Sequence, residues 1–272
     1  MLEWKNILRG LAMGASDLVP GVSGGTIALV LGIYDRLIKT INEFFSRKWK
    51  EQLGFLIPLA VGMGIAIFSL SNLLKWLLAD YPQPTFFFFI GLILGTIPFL
   101  LRKADYKRQF QGYHYIIFTA AAAVIILSGV FRAEETGQAI TTLSASDYMF
   151  LFLAGWVASS AMILPGISGS FVLLLLGVYD TILQAVSSLN FGILLTVGVG
   201  VVVGIVVMSK FLHYLLRSHP TGIYAVMSGL LFGSLFVIFP GIPADASLVT
   251  ISAVTFLAGL AIAMILGKIE EN

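Results

Sequence analysis

Pro20-Gly21-Val22-Ser23-Gly24-Gly25 and, 145 residues later, Pro165-Gly166-Ile167-Ser168-Gly169-Ser170 decide how this chain is read. Both clusters stand in strongly apolar sequence. Proline removes a backbone donor and glycine weakens a helix, so each cluster interrupts any helix that enters it. In lipid, the backbone groups freed by such a break must be buried in protein or used on a ligand. Two breaks at matching places of two halves therefore point to a substrate site at a repeat interface, built from discontinuous helices.

The match extends outward from the clusters. Gly32-Ile33-Tyr34-Asp35 returns as Gly177-Val178-Tyr179-Asp180, and Gly10 falls on Gly155. The offset then drops to 138, because the first half carries seven extra residues between Arg36 and Gln52. Beyond that linker Gly62 falls on Gly200, Pro82 on Pro220, Gly91 on Gly229 and Gly95 on Gly233. The chain reads as a duplication, with a first repeat over 1–135 and a second over 145–272.

Of the 272 residues, 58% are hydrophobic and 11% charged, and apolar runs long enough to cross a bilayer recur throughout. This composition excludes a soluble globular enzyme and a nucleic-acid binder. The absence of cysteine excludes disulfides and thiolate metal sites, and His114, His213 and His219 have no metal-ligand spacing. No metal site and no cofactor is expected. The N-terminal segment lacks a small-residue cleavage site and reads as mature sequence rather than a signal peptide.

Each half reads as one broken segment followed by three apolar segments. The broken segments cover roughly 3–40 and 147–187. The others cover roughly 53–78, 84–101 and 113–131, then 190–215, 221–240 and 248–267. If each broken segment is a re-entrant hairpin, each half crosses three times, and the second half is inverted relative to the first. With both termini in the cytoplasm, Lys5, Arg9, Arg36, Lys39, Arg47, Lys48 and Lys50 lie inside. So do Arg102, Lys103, Lys107, Arg108, Lys210, Arg217 and Lys268. Of the sixteen basic residues only Lys75 and Arg132 fall outside, as the positive-inside rule requires. The expected fold is an all-α polytopic membrane protein of two inverted-topology repeats, each a re-entrant helical hairpin plus three transmembrane helices.

The hairpin tips are the candidate site. Helices starting near Val22 and Ile167 would aim unpaired N–H groups and positive dipole ends at the tips. The glycines let a ligand approach the backbone, and the serines add hydroxyl donors. The residues concerned are Pro20, Gly21, Val22, Ser23, Gly24, Gly25 and Thr26, with Pro165, Gly166, Ile167, Ser168, Gly169 and Ser170. Together they suit a phosphate or carboxylate. Asp17 stands beside the first tip, and its counterpart is Met162. A carboxylate at membrane depth is read as functional by default, here as the carrier of a coupling proton or sodium ion; capping of the next half-helix is the other reading. Arg9 is a candidate for neutralising a headgroup charge at the inner mouth, or for snorkelling to the interface. Asp35 and Asp180 are expected to cap the helices they open, a coupling role being the other reading.

The segment Gly14-Ala15-Ser16-Asp17-Leu18-Val19-Pro20-Gly21-Val22-Ser23-Gly24-Gly25-Thr26 resembles the signature of the bacterial polyprenyl-phosphate transporter family, the undecaprenyl-phosphate translocases. Leu164-Pro165-Gly166-Ile167-Ser168-Gly169-Ser170 resembles its second copy, and the likeness spans essentially the whole chain. It implies a cytoplasmic-membrane translocase that returns undecaprenyl phosphate from the outer to the inner leaflet after envelope assembly. The phosphate would lie at the tips and the isoprenoid tail in a lateral opening. More distantly, the hairpins resemble the Pro-Gly-x-Ser motif of membrane undecaprenyl-diphosphate phosphatases. Those enzymes place arginine where Gly24 and Gly169 stand and use neighbouring glutamates, which both tips lack. Two further readings remain beside the translocase: a secondary transporter of a small soluble anion, and a lipid-diphosphate phosphatase.

Overall fold

The computed structural model describes residues 2–19, 22–130, 144–243 and 245–271. Among them every regular element is helical. α1 (Lys5–Asp17), α2 (Gly24–Val30) and α3 (Tyr34–Phe44) form the first broken segment; α4 (Trp49–Asp80), α5 (Pro82–Lys103), the short α6 (Tyr106–Gln109) and α7 (Gly112–Val130) complete the first half. In the second half α8 (Ala145–Ile163), α9 (Gly169–Leu175) and α10 (Tyr179–Ser187) are followed by α11 (Phe191–Ser218), α12 (Pro220–Val237) and α13 (Ala246–Glu271). Each of the six uninterrupted segments is one long helix. α8, expected only as a hairpin limb, is also long and apolar enough to cross, giving seven such helices among the described residues. The chain is a multi-pass membrane protein.

The two halves repeat their local geometry. α2 ends with Gly32 at φ +67 and α9 with Gly177 at φ +68. Ile33 N–H donates to the Ala28 carbonyl, as Val178 N–H does to that of Leu173, each at a distance near 3 Å. This is the Schellman closure, and its left-handed residue favours glycine. The chain then re-enters helix at a sharp angle, 116° between α9 and α10. Tyr81 and His219, which precede the prolines opening α5 and α12, also share one backbone conformation, φ/ψ −133/50 and −138/56.

Packing follows the repeated glycines. A Cβ at Gly10 or Gly62 would overlap a carbonyl oxygen of the facing helix in the α1–α4 pair, as would one at Gly155 or Gly200 in the α8–α11 pair. The small residues let these backbones touch. The later spans are exchanged between halves. Gly91 of α5 lies against the Phe256 carbonyl on α13, whereas Gly229 of α12 lies against that of Phe118 on α7. Each half thus lends its last helix to the other. Gly91→Leu is expected to separate α5 from α13 and to lower the unfolding midpoint of the detergent-solubilised protein by several degrees. Gly198→Leu, at a position with nothing within 4 Å, should leave it unchanged. Overpacking of this kind costs about 1–3 kcal/mol or more.

Burial is unequal between the halves. The main core gathers α2 and α3 with α4, α5 and α12, and includes Val22, Ile27, Tyr34, Ile38, Ile93 and Leu231. A smaller core joins α8, α10 and α11 through Leu151, Ala154, Val178, Ala185, Ile193 and Val197. Six of the seven residues of α2 are buried, and none of α9. Two near-identical sequence motifs therefore occupy a closed and an open setting.

Candidate functional site at the two tips

α1 ends at Asp17 and α2 begins at Gly24, two residues beyond the expected start at Val22. Pro20 and Gly21 lie outside the described residues. Ser23 is extended and opens α2; its hydroxyl accepts the Thr26 N–H at 3.3 Å and lies 3.1 Å from the Thr26 hydroxyl. Asp17 reaches across the break and accepts the Gly24 N–H at 2.6 Å. A side chain at Gly24 would meet that carboxylate, its Cβ 2.9 Å from Asp17 Oδ2. The helix start at the first tip is therefore engaged by the protein's own Ser23 and Asp17.

The second tip is built differently from a similar sequence. α8 ends at Ile163, and Pro165 and Gly166 are buried. Gly166 has φ +84 and passes so close to α12 that a Cβ would lie 3.0 Å from the Leu230 carbonyl carbon. Ile167 precedes α9, which starts at Gly169. Ser168 places no side-chain cap on α9; its hydroxyl lies 2.7 Å from that of Ser170, which is exposed. A narrow cleft beside them is lined by Ile125, Ile167, Phe171, Ser234 and Val237.

The tips meet. Gly166 N–H donates to the Thr26 hydroxyl at 3.0 Å, a buried contact between residues 140 apart. Gly25 faces the Met162 and Ile163 carbonyls, 3.3 and 3.2 Å from where its Cβ would stand. Tyr34 donates its hydroxyl proton to the Ile163 carbonyl at 3.0 Å. The C-terminal carbonyls of α8 are thus met by residues of the first hairpin, which leaves Ser168 and Ser170 as the outward-facing hydroxyls of the pair.

Arg9 is not part of this cluster. Its guanidinium donates to Asn6 Oδ1 at 2.8 Å, and the buried Asn6 donates to the Phe55 carbonyl at 3.3 Å. Eight residues before Asp17, it stands about 12 Å away along α1. Asp35 corrects another expectation. Rather than capping α3, it pairs with Lys103 at 2.8 Å and accepts the Tyr224 hydroxyl at 2.9 Å. This ties the first hairpin to α5 and to α12 of the other half. The sequence signal was the partners, not the repeated Tyr-Asp: the counterparts of Lys103 and Tyr224 are Gly241 and Phe86, and Asp180 is exposed. The side chain of Lys75 lies outside the described residues.

Comparison with known proteins agrees with the motifs. The family model described as undecaprenyl phosphate translocase-like matches residues 13–255. A polyprenyl-phosphate transporter of Staphylococcus aureus is 46% identical, over 99% of this chain and 98% of that protein. One of Vibrio cholerae is 39% identical, over 86% of this chain and 76% of its own length. Both relatives are named as transporters rather than enzymes. No solved structure matches the chain.

Proposed function

The chain belongs to the undecaprenyl phosphate translocase-like family, and from that membership we propose that it returns a polyprenyl phosphate from the outer to the inner leaflet of the cytoplasmic membrane. It would thereby recycle the lipid carrier of envelope synthesis. The phosphate is held at the two tips. The observation that carries this reading is the contact between them: Gly166 N–H on Thr26, followed in the same tip by the Ser168 and Ser170 hydroxyls, which bond each other and do not cap α9. The apolar, unburied α9 offers a flank for the isoprenoid tail.

Neither tip supplies what phosphoryl cleavage needs. Hydrolysis requires a positioned nucleophile and cationic stabilisation of the transferring group. At the tips stand hydroxyls, backbone and the single carboxylate Asp17, and Arg9 is bound elsewhere. Binding and release of an intact headgroup suits this set.

The two repeats are inverted in the membrane, each a re-entrant hairpin with three spans, and both termini are cytoplasmic. α2 and α9 have seven residues each, about 10 Å of helix, less than half of a hydrocarbon core of about 30 Å. Reporter fusions are expected to place the 45–49 turn and the 103–111 loop inside. An extracellular 45–49 turn contradicts this orientation.

Ser168→Ala removes a hydroxyl donor to the headgroup. A hydrogen bond to a charged group contributes about 1.5–3 kcal/mol, so transport in proteoliposomes is expected to fall about ten-fold or more. Undiminished transport by the stably folded variant counts against phosphate binding at the tips.

A further inference from the structure

Away from the tips, between the start of α7 and the α11–α12 turn, lies a cavity of about 550 Å³. Its polar wall is formed by Gln109, Gln111, His114, Ser218, His219 and Thr221, and no carboxylate stands among the described residues that line it. Both halves contribute. Two long helices, α7 with 19 residues and α12 with 18, begin at this wall, so their positive dipole ends converge there. Pro220 has no N–H, and the next two N–H groups, of Thr221 and Gly222, have no backbone partner among the described residues. A side chain at Gly222 would meet nothing within 4 Å.

His114 is a buried side chain in the wall of this cavity. It is 4% exposed and stacks on Phe110 at 5.2 Å. Its Nδ1 accepts the Gln111 N–H at 3.0 Å. In the neutral ring that role places the proton on Nε2. Nε2 has no hydrogen-bond partner among the described residues, and His114 is one of the residues that line the cavity. His219 adds a second imidazole, its Nδ1 2.9 Å from the Ser218 hydroxyl. The chemistry is one-sided in the repeat. Where His219-Pro220-Thr221 stands in the second half, the first has Tyr81-Pro82-Gln83, and α13, the counterpart of α7, is preceded by Asp245. That carboxylate is held below its usual range by hydrogen bonds from Ser247, which keeps it anionic.

We propose that this cavity is a second phosphate-binding site, separate from the tips, which takes either the phosphate head of a polyprenyl phosphate or free inorganic phosphate. Its cytoplasmic placement rests on the orientation proposed above. Imidazole N–H groups, amides and unpaired backbone N–H groups are donors matched to phosphate oxygens. Exposed Lys107, Arg108 and Arg217 on the adjoining segments raise the local anion concentration. A headgroup released from the tips would be held here, on the side where it is consumed.

The chain has no cysteine, so Gly222→Cys gives a unique reporter on the cavity wall. The rate of its reaction with an uncharged maleimide is measured in nanodiscs of neutral lipid. Inorganic phosphate is added in one arm and farnesyl phosphate in the other, against chloride at equal ionic strength. Several-fold slowing in either arm is expected. Protection by inorganic phosphate alone assigns free phosphate as the ligand; protection by farnesyl phosphate at much lower concentration assigns the lipid head. His219→Ala, at an exposed position, and His114→Ala should each raise the half-protecting concentration roughly ten-fold, and His114→Gln, which keeps an N–H donor, should recover part of the loss. Unchanged rates in both arms, or protection indifferent to all histidine variants, overturn the site. Transport by Ser168→Ala is read in parallel. Loss of transport without protection at Gly222→Cys removes the cavity site alone, and protection in a protein that moves no prenyl phosphate removes the transport reading alone.

Discussion

Gly25→Leu is expected to lower transport about ten- to a hundred-fold while leaving a folded, membrane-inserted protein. Gly25 sits where the first tip meets the end of α8, with the Ile163 and Met162 carbonyls 3.2 and 3.3 Å from its Cβ position. Alanine needs a shift of a few tenths of an ångström, so Gly25→Ala should retain partial activity. Leucine adds three further carbons against fixed backbone and pushes the tips apart. That movement breaks the Gly166–Thr26 hydrogen bond and carries Ser168 away from the first hairpin. Overpacking costs about 1–3 kcal/mol, and when it falls on the geometry of the site it lowers rates by about ten- to a hundred-fold. Prenyl-phosphate flux in proteoliposomes checks this, with Gly198→Leu as the control that should not change it.

Asp17→Asn is expected to uncouple transport from the ion gradient. Carrying an anionic headgroup inward across an inside-negative membrane is uphill by about 2.3 kcal/mol per charge per 100 mV. A proton or sodium ion moving with it cancels that term. Asp17 is the carboxylate beside the tips, and it accepts the Gly24 N–H at 2.6 Å. Asparagine keeps an acceptor for that N–H, so α2 and the tip stay in place, but it carries no exchangeable charge. The variant should bind headgroup normally and respond no longer to an imposed proton or sodium gradient. Asp17→Ala should in addition lose stability, because a buried N–H without a partner costs about 1–3 kcal/mol. Unaltered gradient dependence in Asp17→Asn reduces the residue to a helix cap.

Much of the architecture is legible in local sequence, because local sequence controls it. Pro-Gly clusters break helices wherever they stand, Gly32 and Gly177 mark left-handed closures, and the six apolar runs are long enough to be nothing but helices. Gly-xxx-Gly spacing announces close approach but not the partner, which is why the exchange of α7 and α13 between halves was not read from Gly91 and Gly229. Side-chain roles at the tips depended on contacts across 140 residues. Thr26 stands among the expected phosphate-site residues, and the sequence does not announce that its hydroxyl also receives Gly166 N–H from the other tip. The position of Asp35 at a hairpin end suggests a cap, yet it pairs with Lys103 and Tyr224, partners that Asp180 lacks in the sequence. Nor does sequence symmetry report burial: α2 lies in the core and α9 on its edge because their neighbours differ. His114 and His219, which have no metal-ligand spacing, line one cavity only because α7 and α12 start side by side.

The most direct test of phosphate recognition at the tips is a density map of the protein in lipid with polyprenyl phosphate bound. Phosphate density is expected between the hairpins, within hydrogen-bond distance, about 2.7–3.2 Å, of the Ser168 or Ser170 hydroxyl and adjoining Thr26, with the tail leaving along α9. A well-resolved headgroup bound away from both tips, with Gly166 N–H still on the Thr26 hydroxyl, contradicts it.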